Sequence, residues 1–199
     1  DGVLIAFHDD RLDRVTNQKG RIQKLNYADV ACARVENCEP IPLMEELLGD
    51  FPEARFNIDP KSDTAVRPLI EIIKRTGSED RVCVGSFSDH RLRQIRSALP
   101  QVCTSMATYE AARAKLNSLG VRLGSLSANC AQVPVRWNGV SVVDRRFIQT
   151  MKGQGIPVHV WTINDGSEMH RLLDMGVDGI MTDRPSVLKA VLLERGSWN

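Results

Sequence analysis

Several things are missing from this sequence, and each absence removes a class of function. No apolar stretch approaches the ~20 residues that a bilayer-spanning helix needs, so no segment is expected to cross a membrane. Lysine and arginine form no runs: 26 basic residues are interspersed with 25 acidic ones, for a formal net charge of +1. That excludes the basic footprint of a nucleic-acid or membrane-surface binder. The five cysteines (Cys32, Cys38, Cys83, Cys103 and Cys130) include no CxxC pair, so neither a disulfide framework nor a zinc site has a spacing to rest on. Cys83 and Cys103 sit in apolar runs and are expected as buried thiols. No GxGxxG or Walker-type glycine loop follows a strand-like run, and no GxSxG, HExxH or Ser/His/Asp order is present.

What remains is a regular alternation. At 199 residues the chain is long enough for one sizeable core, and a single domain over 1–199 is expected. "IPLMEELLGDF" puts Leu43, Leu47 and Leu48 on one helical face, with Pro42 at a first-turn position. "ARFNIDPK" reads as a short strand stopped by Pro60. "AVRPLIEIIKRTG" carries Leu69, Ile70, Ile72 and Ile73 at helical spacing and ends on Gly77. "RVCVGSF" and "QVCTSMA" read as strands. Between them lies a helix with Ser88 at its N-cap, Leu92, Ile95 and Leu99 on one face, and Pro100 as its stop. A helix over about Tyr109–Leu119 follows. After the weakly patterned residues 120–138, "GVSVVD", "PVHVWTIN" and "VDGIMTD" read as strands, each followed by a helix, the last with Pro185 in its first turn. Counting from "ARFNIDPK" gives six β→α units, whose Val- and Ile-rich strands suit a parallel sheet covered on both faces.

Polar residues gather just after the strand ends: Asp59 and Lys61, Ser86, Asp144, Asn164, Asp183. That is the layout of a (β/α)8 barrel of the α/β class, with its site at the C-terminal ends of the strands. Residues 11–40 show no regular pattern and read as an insertion.

Each candidate site residue has a structural alternative. His8 ends the apolar run "VLIAF", a position that suits either a catalytic or a structural histidine. Asp9 and Asp10 suit the start of a turn, or a solvated charge cluster with the following "RLDR". In "NIDPK", Asp59 and Lys61 are two residues apart and face one side. They suit a hard divalent cation with a phosphate, or equally a structural ion pair. Trp161 near a strand end suits core packing or a ligand wall, and His159 should share its face. His90 and His170 fall on helical stretches and read as surface residues.

"DGVLIAFHDDRLDRVTNQKG" resembles the DG-x-x-V-x-x-HD-x-x-L-x-R-T-T-x-x-x-G segment of glycerophosphodiester phosphodiesterases. The likeness continues in the family's order through "IPLMEELL", "NIDPK", "VGSF", "VHVWTIND" and "GVDGIMTDRP", covering nearly the whole chain. The resemblance implies a (β/α)8 barrel with a small insertion after the second strand, matching residues 11–40. It also implies metal-dependent hydrolysis of glycerophosphodiesters to glycerol 3-phosphate and an alcohol, with Ca²⁺ or Mg²⁺ as cofactor. Carried over, His8 is one of two catalytic histidines and Asp59 the metal carboxylate. Lys61 contacts the phosphate, and Phe87 and Trp161 wall the glycerol.

Two departures set further expectations. Asp59 is one methylene shorter than the family's usual Glu. The family's opening segment, with its HRG, ENT and ExD motifs, has no counterpart here, so the first two barrel strands and about half the site are expected to lie outside this chain. The isolated chain is therefore expected to be inactive and poorly soluble or oligomeric. Two other readings remain open at this point: a lysophospholipase D-like phosphodiesterase, and a truncated barrel that binds phosphoesters without turnover.

Overall fold

Apolar residues at helical spacing, alternating with short runs of β-branched residues, dictate helices packed on parallel strands. The computed structural model, which describes residues 1–121 and 123–198, has this arrangement in two compact units. The first comprises Asp1–Val84 and His90–Val102, and the second Gly85–Asp89 and the residues from Cys103 onward.

In the first unit the opening residues are extended rather than a strand in a sheet. Ala6 N–H donates to the Pro42 carbonyl (2.9 Å), Met44 N–H donates to the Leu4 carbonyl (3.0 Å), and Ile5 bridges Leu43 antiparallel. The stretch read as an insertion contains a one-turn helix α1 (Tyr27–Val30) and the antiparallel strands β1 (Arg34–Val35) and β2 (Glu39–Pro40). These pieces are too short to show a sequence period. They are held by a small core of Leu12, Val30, Ala33 and Ile41. Helix α2 (Met44–Asp50) begins after Leu43, so Pro42 lies two residues ahead of the helix rather than in its first turn. It buries Leu48 completely.

Strand β3 (Phe56–Ile58) leads to α3 (Val66–Thr76), which ends on Gly77 in the left-handed region at φ 57°. The Gly77 N–H reaches the Ile73 and Lys74 carbonyls, as the sequence predicts for a glycine closing a helix. Strand β4 (Val82–Val84) pairs parallel with β3 in the register Ile58 to Val84, and α4 (Asp89–Ala98) follows. Leu92, Ile95 and Leu99 are buried, each contributing about 1.5–3 kcal/mol.

The second unit carries β5 (Cys103–Thr104) with α5 (Thr108–Ser118), then β6 (Ala131–Pro134). A hairpin of β7 (Arg136–Trp137) and β8 (Val140–Ser141) precedes α6 (Arg145–Gly153). Strand β9 (Val158–Trp161) with α7 (Gly166–Met175) and β10 (Gly179–Ile180) with α8 (Pro185–Glu194) complete it. Ser105 bridges Cys130 parallel, β6 pairs parallel with β9, and β9 with β10. Phe147, Met151, Met169 and Leu172 pack under Val133, Val158 and Val160 in one core.

Two expectations change here. "GVSVVD" is not a strand of the parallel sheet: Val140 and Ser141 are the exposed far arm of the hairpin, turned at Asn138 (φ 47°) and Gly139 (φ 81°). The sheet strand is β6, in the stretch whose pattern was weak. With that substitution, six strand–helix units stand among the described residues. No disulfide joins the five cysteines, and Cys83 and Cys103 are half-buried rather than buried. No helix of the described residues is long and apolar enough to cross a membrane.

Candidate active site

The extended run from Leu4 to Phe7 delivers His8 to the surface, its side chain 79% exposed. Its Nδ1 lies 2.8 Å from Asp9 Oδ1. Arg14 forks the same carboxylate, Nε donating to Oδ2 at 2.6 Å and Nη2 to Oδ1 at 2.9 Å. The Arg14 guanidinium first, and His8 second, hold the Asp9 carboxyl well below the usual carboxylate range. An ionised carboxylate only accepts, so in this hydrogen bond the proton sits on His8 Nδ1, and Nε2 is the ring nitrogen that Asp9 does not engage. The other charges of "HDDRLDR" behave as a solvated cluster: Arg11 pairs with Asp13 at 3.0 Å and Arg21 with Asp10 at 3.5 Å, all substantially exposed.

Asp59 follows the last residue of β3, where Ile58 is buried on the opposite face. Lys61 Nζ donates to Asp59 Oδ2 at 2.9 Å. Both side chains are partly exposed, a setting in which an ion pair adds only about 0–1 kcal/mol to stability. A cleft of about 530 Å³ in this unit is lined by Asp9, Asp10, Asp59 and Lys61 together with apolar residues such as Phe7 and Leu69. The Asp59 carboxylate has the donor chemistry of a hard divalent cation. It supplies one donor, however, not a shell: among the described residues no group of three His, Asp or Glu side chains gathers their ligand atoms. The residues present thus fit one edge of such an ion.

The aromatic candidates lie in the second unit. The alternation of β9 puts Val158 and Val160 into the core and His159 and Trp161 on the opposite face, as expected from the spacing. Phe87 meets Trp161 edge-to-face, with ring centroids 5.7 Å apart. Gly85, two residues before Phe87, leaves room where Ser105 Oγ and Gln132 Oε1 would stand 3.1 and 3.2 Å from an added Cβ. A third ring, Trp137 on β7, lies 6.0 Å from Phe87. Trp137 stands in the weakly patterned stretch and no motif singles it out, although Asn138-Gly139 directly after it is the strongest short hairpin signal.

Three other polar residues at strand ends, Asp144, Asn164 and Asp183, make structural contacts. Asp144 caps α6 by accepting from Phe147 N–H (2.8 Å) and pairs with Lys115 (2.6 Å). Asn164 Oδ1 accepts from Thr182 Oγ1 and Asp183 N–H, both at 2.9 Å, and its Nδ2 donates to Asp183 (3.0 Å), tying the loops after β9 and β10. His90 is exposed, as expected, whereas His170 is half-buried, with its Nε2 3.2 Å from Glu194.

Residues 1–187 match the family model described as the glycerophosphoryl diester phosphodiesterase family. The chain belongs to that family. Its likeness to a Mycobacterium tuberculosis protein named "Probable glycerophosphodiester phosphodiesterase 2" is 37% identity over all of this chain and 78% of the relative. A glycerophosphodiester phosphodiesterase of Caldanaerobacter subterraneus is 28% identical over 94% of this chain and 79% of its own length. Among solved structures, an Oleispira antarctica phosphodiesterase in complex with the product sn-glycerol-3-phosphate superposes with a TM-score of 0.78. It is 20% identical, covering 96% of this chain and 80% of that one. The likeness in fold puts the chain in the α/β, (β/α)8-barrel class of the glycerophosphodiester phosphodiesterases. The family's chemistry makes it a phosphoric diester hydrolase, generally dependent on a divalent cation.

Proposed function

We propose that this glycerophosphodiester phosphodiesterase family member cleaves glycerophosphodiesters to glycerol 3-phosphate and an alcohol, with His8 as a general acid–base residue. The observation that carries the assignment is the His8 ring itself, exposed and bonded through Nδ1 to Asp9 Oδ1 at 2.8 Å, in a chain whose residues 1–187 match the family model. In the reaction one P–O bond to the alcohol breaks, and an oxygen from water ends on phosphorus. The glycerol hydroxyl or a water makes the first attack. Nε2 of His8 transfers a proton at the leaving or attacking oxygen, a contribution of typically 10²–10⁴-fold. Lys61 neutralises charge on the phosphoryl oxygens; Phe87 and Trp161, packed on each other within the second unit, offer an apolar surface of the kind that suits a glycerol moiety. Asp59 is the residue of this chain that would hold a Ca²⁺ or Mg²⁺ ion. Such an ion, when bound, stabilises negative charge on the phosphoryl group. The Oleispira complex with sn-glycerol-3-phosphate supports the product assignment by analogy of fold.

The test is an assay of the full-length protein on glycerophosphocholine with Ca²⁺ or Mg²⁺, beside a lysophospholipid under the same conditions. Release of glycerol 3-phosphate that stops on chelation is the expected result. Turnover of the lysolipid alone would replace the substrate, and no turnover of either would overturn the reading.

A further inference from the structure

We infer that Arg14, acting through Asp9, is a positioning residue that holds His8 in the Nδ1–H tautomer and keeps Nε2 facing the reacting oxygen. This rests on the proposed acid–base role of His8 and deepens it. A ring that is 79% exposed has no packing walls to set its second torsion, so a hydrogen bond has to do so. Its polar partner is Asp9 Oδ1, on the adjacent residue. A neighbouring carboxylate alone would be a poor anchor, because it is free to turn about its own bonds. Arg14 removes that freedom by holding both oxygens in one planar fork, at 2.6 and 2.9 Å.

The position of Arg14 is built rather than incidental. Leu12, 1% exposed, anchors the turn in the small core with Val30, Ala33 and Ile41. Its carbonyl accepts from both the N–H and the Oγ1 of Thr16, at 3.1 and 2.8 Å, which closes the turn around Arg14. Leu12 N–H donates to the Gly20 carbonyl at 3.0 Å, fixing the other side. On this account the apolar residues of the insertion serve the chemistry by fixing where one guanidinium stands. The same segment holds a control: Arg11 is likewise exposed and ion-paired, but to Asp13, away from His8.

The experiment uses the full-length protein, with steady-state kinetics on glycerophosphocholine and ¹⁵N NMR of the His8 ring nitrogens. The wild type is expected to show the Nδ1–H tautomer. Arg14→Gln should lower kcat about 10–100-fold with KM little changed, because misplacement by about 1 Å costs up to that much. The His8 signal should move toward a tautomer mixture. Arg14→Lys, which donates from one point and cannot fork, should restore only part of kcat. Asp9→Asn should cost more, about 10²–10⁴-fold, because its amide no longer dictates the tautomer. Arg11→Gln should change neither readout. Wild-type kcat in Arg14→Gln, or a lowered kcat with an unchanged His8 tautomer, would overturn the inference. Full activity in His8→Ala would sink the acid–base reading instead, while the tautomer measurement would still decide whether Arg14 and Asp9 set the ring.

Discussion

Replacing Gly179 with alanine puts a methyl group where the imidazole of His159 already lies. The two residues pair directly across β9 and β10, and an added Cβ would stand 2.8 Å from His159 Cδ2 and 3.3 Å from Cγ. These atoms are near the base of a half-buried ring, so the ring or the strand must shift. Overpacking of this kind costs about 1–3 kcal/mol. Against it, alanine restricts the unfolded chain and returns about 0.4–1 kcal/mol. The net expectation is a loss of about 1–2 kcal/mol, which lowers Tm by roughly 2–8 °C in a chain of this size. A double-mutant cycle read by urea unfolding isolates the steric part. In a His159→Ala background the clash is gone, and Gly179→Ala should become stabilising by about 0.4–1 kcal/mol. An equal effect of Gly179→Ala in both backgrounds would refute the packing of His159 on Gly179.

Lys61→Gln removes the ammonium proposed to face the phosphate while leaving an exposed, fold-neutral side chain. It should lower kcat/KM by about 10²–10³-fold without moving Tm, and a Tm loss with normal kinetics would make Lys61 structural. Asp144→Asn tests the opposite assignment and should leave kcat/KM on glycerophosphocholine unchanged. Burial by itself raises the Asp144 carboxyl, but the Lys115 ammonium and the Phe147 N–H outweigh it and hold it below its usual 3.8. A folded-state value below the unfolded one means stability that is present above about pH 3.8 and lost as pH falls through the folded value. The variant should therefore unfold with a shallower acid limb than the wild type; identical acid limbs would count against the Asp144–Lys115 pair.

The fold was legible wherever one element is long enough to repeat its own period. Leu69, Ile72 and Ile73 marked α3, and Leu92, Ile95 and Leu99 marked α4, because three or more buried positions recur on one face. Strand β6 was not legible. Its four residues include a small Ala131, the polar Gln132 and the helix- and strand-breaking Pro134, so no alternation stands out. The neighbouring "GVSVVD" has the composition of a sheet strand, but Val140 and Ser141 form the exposed arm of a hairpin, where β-branched residues are equally at home, and Val143 turns into the core. The site divided in a similar way. Motif order singles out His8, Asp59, Lys61, Phe87 and Trp161 as candidates; Asp144, Asn164 and Asp183, which share the strand-end position, cap a helix and tie loops. The fork on Asp9 is not legible in the sequence, because spacing alone does not say which of Arg11 and Arg14 reaches the aspartate beside His8. Tertiary anchoring of Leu12 decides it.

We propose His8 as the acid–base residue of this glycerophosphodiester phosphodiesterase family member. The most direct test is glycerol 3-phosphate release from glycerophosphocholine by His8→Ala in the full-length protein, with the fold checked by circular dichroism. His8 is exposed, so the variant should fold as the wild type does, and turnover should fall about 10²–10⁴-fold. A folded variant that releases glycerol 3-phosphate at the wild-type rate would contradict the account.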